Sequence, residues 1–132
     1  MKRNIDLGLL VLRISIGVLM LLHGIAKIGK LDFIKMMLTK INLPEFIAYG
    51  VYLGEILAPV LIIIGFRTRL ASAIFAFNAL SAILLVHSSE IFTITEHGGW
   101  GIELLGLYLF GAIALIFSGG GKYALSKNNK WD

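Results

Sequence analysis

The sequence predicts an all-α integral membrane protein: a four-helix antiparallel bundle, with a short interfacial helix between the first two spans, in one domain of residues 1–132. Hydrophobic residues make up 58% of the chain and charged residues 15%, against about 25% charged residues in soluble domains. The apolar residues form four runs of 17 to 20 residues. As helices these runs are about 25–30 Å long, one hydrocarbon thickness, so we expect the lipid bilayer to surround the chain.

The first predicted span covers residues 7–26, and Lys27 follows it directly. Arg13 interrupts the run and no Ala-x-Ala site follows, so the span is predicted to be retained and not cleaved as a signal peptide. Residues 27–45 alternate lysines with apolar side chains. This pattern predicts a short amphipathic helix lying at the membrane interface.

The second predicted span covers residues 46–65 and contains Glu55 and Pro59. Proline removes one backbone hydrogen bond, so a kink is expected just past Glu55. A basic turn, residues 66–69, leads into the third span.

The third predicted span, residues 70–86, has Asn78 near its middle and His87 at its end. These two residues are nine positions apart and point to opposite sides of a regular helix. Only one of them can then face a shared pocket, and the sequence leaves open which one. The fourth span, residues 100–117, carries Glu103 one turn from its start.

The distribution of lysine and arginine predicts a multi-pass protein of a bacterial-type cell (inner) membrane with both termini in the cytoplasm. The predicted cytoplasmic side has seven such residues and the opposite side four: Lys2, Arg3, Arg67, Arg69, Lys122, Lys127 and Lys130 against Lys27, Lys30, Lys35 and Lys40. The net charge of +4 is spread over loops and ends, so no nucleic-acid partner is expected.

Several types of site are excluded by composition. The chain has no cysteine, so it offers no disulfide, thiolate nucleophile or cysteine-ligated iron–sulfur cluster. The three histidines are His23, His87 and His97, and their spacing gives no local pair of metal ligands. No metal site is predicted.

Polar residues within the spans predict a polar pocket inside the bundle, because ionisable groups in lipid face the protein interior or an aqueous cavity. On the first span Arg13, His23 and Lys27 fall within an arc of about 80°. Glu55 is the residue hardest to explain structurally, whereas Arg13 could reach the headgroups and Lys27 could be interfacial. The predicted pocket residues are Arg13, His23, Lys27, Glu55, Asn78 and Glu103. No residue is assigned a catalytic role.

Two groups of motifs resemble the DoxX family of small four-helix membrane proteins. The first comprises Leu12-Arg13, Gly17 and the segment His23-Gly24-Ile25-Ala26-Lys27; the second comprises Gly54-Glu55, Pro59 and residues 65–71. The resemblance covers nearly the whole chain. It implies that Arg13, His23, Lys27, Glu55 and Arg67 are the family's polar positions.

The family's namesake is similar to a subunit of a thiosulfate:quinone oxidoreductase. The resemblance therefore implies a redox-associated membrane subunit that binds a quinone and needs a soluble or membrane partner subunit. The alternative is a non-enzymatic scaffold, assembly subunit or small-solute carrier. Under either hypothesis homo-oligomerisation is expected, since four helices make a thin bundle and Gly50, Gly101, Gly106 and Gly111 offer close-contact surfaces.

Overall fold

The computed structural model describes residues 4–132, and all of its regular secondary structure is helical. Lys2 and Arg3, which contribute to the predicted orientation, lie outside this part of the chain. The helices are α1 (Ile5–Ala26), α2 (Asp32–Lys40), α3 (Glu45–Ile64), α4 (Thr68–Leu85) and α5 (Glu103–Ser118). The prediction of an all-α chain is confirmed for these residues. Their β-type pairing is limited to a single isolated bridge between Ile94 and Trp100.

Three of the described helices, α1, α3 and α4, are long and apolar enough to cross a membrane. Helix α5 is also apolar but has 16 residues. Large apolar side chains stay exposed along these helices, Val11, Leu57, Phe77 and Leu107 among them. A surface of this kind is stable in lipid and not in water, so the protein is a membrane protein.

The helices pack through small residues. A Cβ atom at Gly17 would press on Ile63, and one at Gly24 would collide with the carbonyl oxygen of Glu55. Since residue numbers rise along α1 as they fall along α3, these two helices are antiparallel. Small residues at such contacts let helix backbones approach closely in a membrane.

The core lies where α1, α3, α4 and α5 meet. Phe75 of α4 packs edge-on against Tyr108 of α5, with ring centroids 5.9 Å apart. Around this pair the buried side chains are mostly small or aliphatic: Ile16, Met20, Ala58, Ile62, Ala71, Ala76, Ala79, Ala112 and Leu115.

Helix α3 is irregular at the site of interest. It begins as a 3₁₀ turn and passes through a π-helical turn over Leu53–Leu57, where the Ala58 N–H donates to the Leu53 carbonyl. Pro59 has no N–H, so the Glu55 carbonyl cannot accept the usual α-helical bond. The sequence predicts a kink just past Glu55, which stays a prediction; the structure adds a π-helical turn around Glu55 itself.

The segment after α5 folds back over the turn between α3 and α4. The N–H groups of Leu125 and Ser126 donate to the carbonyls of Ile64 and Gly65, and the Arg69 N–H donates to the Trp131 carbonyl. This segment closes the end of the bundle that contains Arg13.

Candidate functional site

A cavity of about 500 Å³ lies at the other end of the bundle. All five helices and the loop before α5 contribute to its wall. The wall is largely apolar, and its polar members are His23, Lys27, Glu55, Asn78, Ser81, His87, Glu90 and Tyr108. Small-molecule sites are commonly cavities of about 300–1,000 Å³ with a few convergent polar groups, and this cavity fits that description.

Glu55 is the buried acid of the cavity, with 4% of its surface exposed. Its Oε1 accepts a hydrogen bond from Lys27 Nζ at 2.5 Å and one from Asn78 Nδ2 at 3.4 Å. Its Oε2 is also buried, and no group in the described part of the chain hydrogen-bonds to it. A buried polar atom without a partner costs free energy, so this carboxylate is only half satisfied by the protein.

The fold brings these three side chains together from three helices. The π-helical turn carries Glu55, and Gly24 lets α1 approach its backbone closely. Lys27 is the C-cap residue of α1, and its side chain remains 38% exposed. Asn78 packs directly over Gly54, which holds its amide near the carboxylate. The pair thus joins a buried acid to a partly exposed cation.

Tyr108 is a cavity residue that the sequence analysis does not predict. It is 3% exposed, and its ring lies edge-on to the imidazole of His23, with centroids 6.2 Å apart. The sequence nevertheless contains a feature that could have identified Tyr108. Tyrosine in membrane proteins is concentrated at the two interfaces, whereas Tyr108 lies inside the apolar helix α5.

Asn78 and His87 both line the cavity. The expectation that only one can do so assumes a regular helix, but α4 ends at Leu85 and His87 lies in the following turn with φ −114°. Its Nδ1 is 3.0 Å from Glu90 Oε1. The helical phase therefore does not apply to His87, and this pair forms a second polar edge of the cavity.

Arg13 is brought to a different place from the other predicted pocket residues. It is 1% exposed, and its guanidinium donates at 2.8 Å to each of three backbone carbonyls, those of Ile62, Ile63 and Gly120. It does not line the cavity. A shared arc on α1 aligns Arg13 with His23 but says nothing about depth; ten residues separate them, about 15 Å along the helix.

Glu103 and Arg67 also lie away from the cavity wall. Glu103 is the exposed first residue of α5, with its carboxylate beside Gly99. Arg67 lies in the α3–α4 turn at φ 48° and pairs with Asp132 at 3.4 Å. Among residues 4–132, no three acidic or histidine side chains are grouped so that they could hold a metal ion.

The sequence profile of the DoxX family matches residues 8–88. The chain belongs to the DoxX family. The match contains His23, Lys27, Glu55, Asn78 and His87, whereas helix α5 with Tyr108 lies beyond it.

One relative of this DoxX protein is named "Putative oxidoreductase CatD", from Bacillus subtilis (strain 168). It is 30% identical over 86 residues, which are 65% of this chain. The match spans 64% of that relative's own length. No solved structure matches the chain.

Proposed function

We propose that this DoxX protein is a redox-associated subunit of the cell membrane that binds a quinone in the cavity beside Glu55. The observation that carries the proposal is the half-satisfied carboxylate in a largely apolar cavity of about 500 Å³. A buried acid with a cation beside it suits hydrogen bonding and proton exchange with a ligand oxygen. The name of the CatD relative agrees with a redox role.

The cavity wall fits a flat, lipid-soluble ring. Phe33 and Tyr108 supply aromatic surface, and Met20, Leu104 and Leu105 supply apolar surface. Lys27 would link the buried end to the cavity's surroundings, because its side chain is 38% exposed while that of Glu55 is 5% exposed. When bound, a quinone would supply the electron-carrying chemistry. The residues of the chain would orient it, and the Glu55 carboxylate would exchange a proton with the oxygen of the ring.

The proposal includes a redox partner subunit. The chain has no cysteine, so it contributes no thiol relay and no cysteine ligand for an iron–sulfur cluster. Electrons would therefore pass between the bound quinone and a soluble or membrane partner. Homo-oligomerisation would have to use surfaces such as that at Gly50, where no atom of residues 4–132 lies within 4 Å of an added Cβ.

In this proposal α1, α3, α4 and α5 all cross the membrane as an antiparallel bundle with cytoplasmic termini. The contact of Tyr108 with Phe75 and that of Gly120 with Thr68 support an antiparallel α4–α5 pair. Helix α2 would lie at the outer interface, since Phe33 and Met36 are exposed on a helix flanked by Lys30 and Lys40. The cavity would then open near the outer leaflet.

Photoaffinity labelling with an azido-quinone analogue in lipid nanodiscs tests the proposed site. Ala82 lines the cavity from α4, so Ala82→Phe should block it and lower labelling at least tenfold. Ala73 is exposed on the same helix, so Ala73→Phe is a matched control that should label like wild type. Equal labelling of both variants would refute the quinone site and favour a scaffold, assembly or carrier role.

A further inference from the structure

The cavity contains a hydrogen-bond acceptor that no donor in the described part of the chain satisfies. Lys27 and Asn78 both approach the same carboxylate oxygen of Glu55, Oε1. The Lys27 ammonium and the Asn78 amide N–H can only donate. Oε1 is therefore the acceptor in both hydrogen bonds, that from Lys27 at 2.5 Å. The second oxygen is left with its lone pairs buried and no partner in the described residues.

This oxygen belongs to a side chain that lines the cavity. The terminal torsion of a glutamate side chain is broad, so a small rotation turns Oε2 toward a bound molecule while the pair with Lys27 is kept. A ligand group that donates a hydrogen bond would satisfy Oε2. A group that only accepts would place its lone pairs against those of the carboxylate.

We infer that the cavity selects the reduced, hydroxyl-bearing form of its ligand, a hydroquinone-type ring, over the oxidised form with carbonyl oxygens. This inference rests on the proposed function and adds to it the hydrogen-bonding polarity of the site. A hydroquinone O–H donates to Oε2, whereas a quinone carbonyl can only accept. Glu55 is thus a residue that determines specificity for the redox state of the ring.

The selection has a consequence for redox chemistry. A site that binds the reduced form more tightly raises the reduction potential of the bound couple relative to the free one. For a two-electron couple a tenfold preference corresponds to about 30 mV. The bound ring would accept electrons from a partner more readily than the same ring free in the membrane.

Three ligands with the same ring and short alkyl tail test the inference on the wild-type protein in nanodiscs. They are the hydroquinone, kept reduced under anaerobic conditions, its di-O-methyl ether, which cannot donate, and the quinone. Dissociation constants come from competition against the photoaffinity label. The hydroquinone should bind at least tenfold more tightly than either of the others. Equal or tighter binding of the quinone or the ether overturns the inference.

The variant Glu55→Gln replaces a hydrogen-bond acceptor of the site by a donor, and it is tested in the same assay. The donors of Lys27 and Asn78 hold the amide oxygen at the Oε1 position, so the amide N–H takes the position of Oε2. The quinone should then bind more tightly than the hydroquinone. Glu103→Gln removes an exposed carboxylate outside the cavity and should keep the wild-type order. Retention of the hydroquinone preference by Glu55→Gln overturns the inference.

The outcomes separate the inference from the proposed function. If none of the three ligands binds the wild-type protein, the quinone site itself is refuted and the inference with it. If all three bind with similar affinity, the site stands and the inference is refuted. The wild-type comparison decides the matter even if Glu55→Gln does not fold.

Discussion

The two ends of the bundle each bury a charged side chain, and the protein satisfies them differently. At one end Arg13 donates to three carbonyl oxygens, each at 2.8 Å. At the other end Glu55 accepts two hydrogen bonds at one oxygen and, within residues 4–132, none at the second. Both side chains lie at contacts between α1 and α3, so they share one helix pair.

The difference separates a structural charge from a binding group. The guanidinium lies at the C-terminal end of α3, where the helix dipole is negative and the last carbonyls lack the usual α-helical N–H partner. It completes the hydrogen bonding of α3 and ties α1 to the segment after α5. The carboxylate of Glu55 retains one unmet hydrogen bond beside a cavity, which costs stability and is useful only when a ligand fills it.

The largest expected effect is the loss of stability in Arg13→Met. Among the described residues, removal of the guanidinium leaves the carbonyls of Ile63 and Gly120 without donors and that of Ile62 with the Gly65 N–H at 3.2 Å. Each carbonyl left without a donor costs about 1–3 kcal/mol. The total loss should be at least about 2 kcal/mol, measured by reversible unfolding in mixed micelles. Arg69 donates to the Phe117 carbonyl from an exposed position, so Arg69→Met is the matched control with little change. Similar stability of the two variants would contradict a structural role for Arg13.

Substitution of Gly24 tests the contact that places Glu55. A Cβ there would collide with the backbone carbonyl of Glu55, and overpacking of this kind costs about 1–3 kcal/mol. Gly24→Ala should therefore lower the unfolding free energy and weaken ligand binding together. Gly8 lies on the same helix, and no atom of the residues that the structure describes is within 4 Å of its added Cβ. Gly8→Ala should be neutral or gain up to about 1 kcal/mol, and equal losses in both would exclude the contact as the cause.

Glu55→Gln should change stability by less than about 1 kcal/mol, although the residue is as deeply buried as Arg13. Loss of one partner of an ion pair is costly when it leaves the other charge buried, but Lys27 is 38% exposed and the amide oxygen still accepts its hydrogen bond. Unfolding measured without ligand checks this. A loss comparable to that of Arg13→Met would show that Glu55 is structural and remove the contrast between the two ends.

The smallest effect is expected at Asp132, in the segment that closes the Arg13 end. Hydrogen bonds from the Ser126 hydroxyl and the Asn129 N–H, with the nearby Arg67, lower the pKa of its carboxyl below the ordinary value of 3.8. Because the folded pKa is lowered, its contribution is complete above about pH 3.8 and is lost as the pH falls through the lowered value.

Thermal unfolding between pH 6 and pH 2.5 measures the contribution of Asp132. The melting temperatures of wild type and Asp132→Asn should differ most at pH 6 and converge in acid. A difference that stays constant over this range would show that the ionised carboxyl does not hold the segment in place.

Local features of the sequence were enough to predict the helical class and the membrane environment. Long apolar runs, with polar residues confined to loops and a few internal positions, are stable as helices in lipid, because each helix satisfies its own backbone. Helix α1 begins two residues before its predicted start and ends at the predicted residue, Ala26. The internal acid Glu55 and the basic residues on α1 could also be recognised, since ionisable groups in a span are rare.

Which polar residues meet was decided by tertiary structure. Helical phase predicted a common face for Arg13 and His23 but not their separation along the axis, and it failed at His87 because α4 ends before that residue. The π-helical turn, the addition of Tyr108 from α5 and the unpartnered oxygen of Glu55 depend on how separate helices pack. Hydrophobic periodicity fixes which residues can form a span. Close packing of particular side chains determines which buried charge has its hydrogen bonds made by the protein and which keeps an atom available to a ligand.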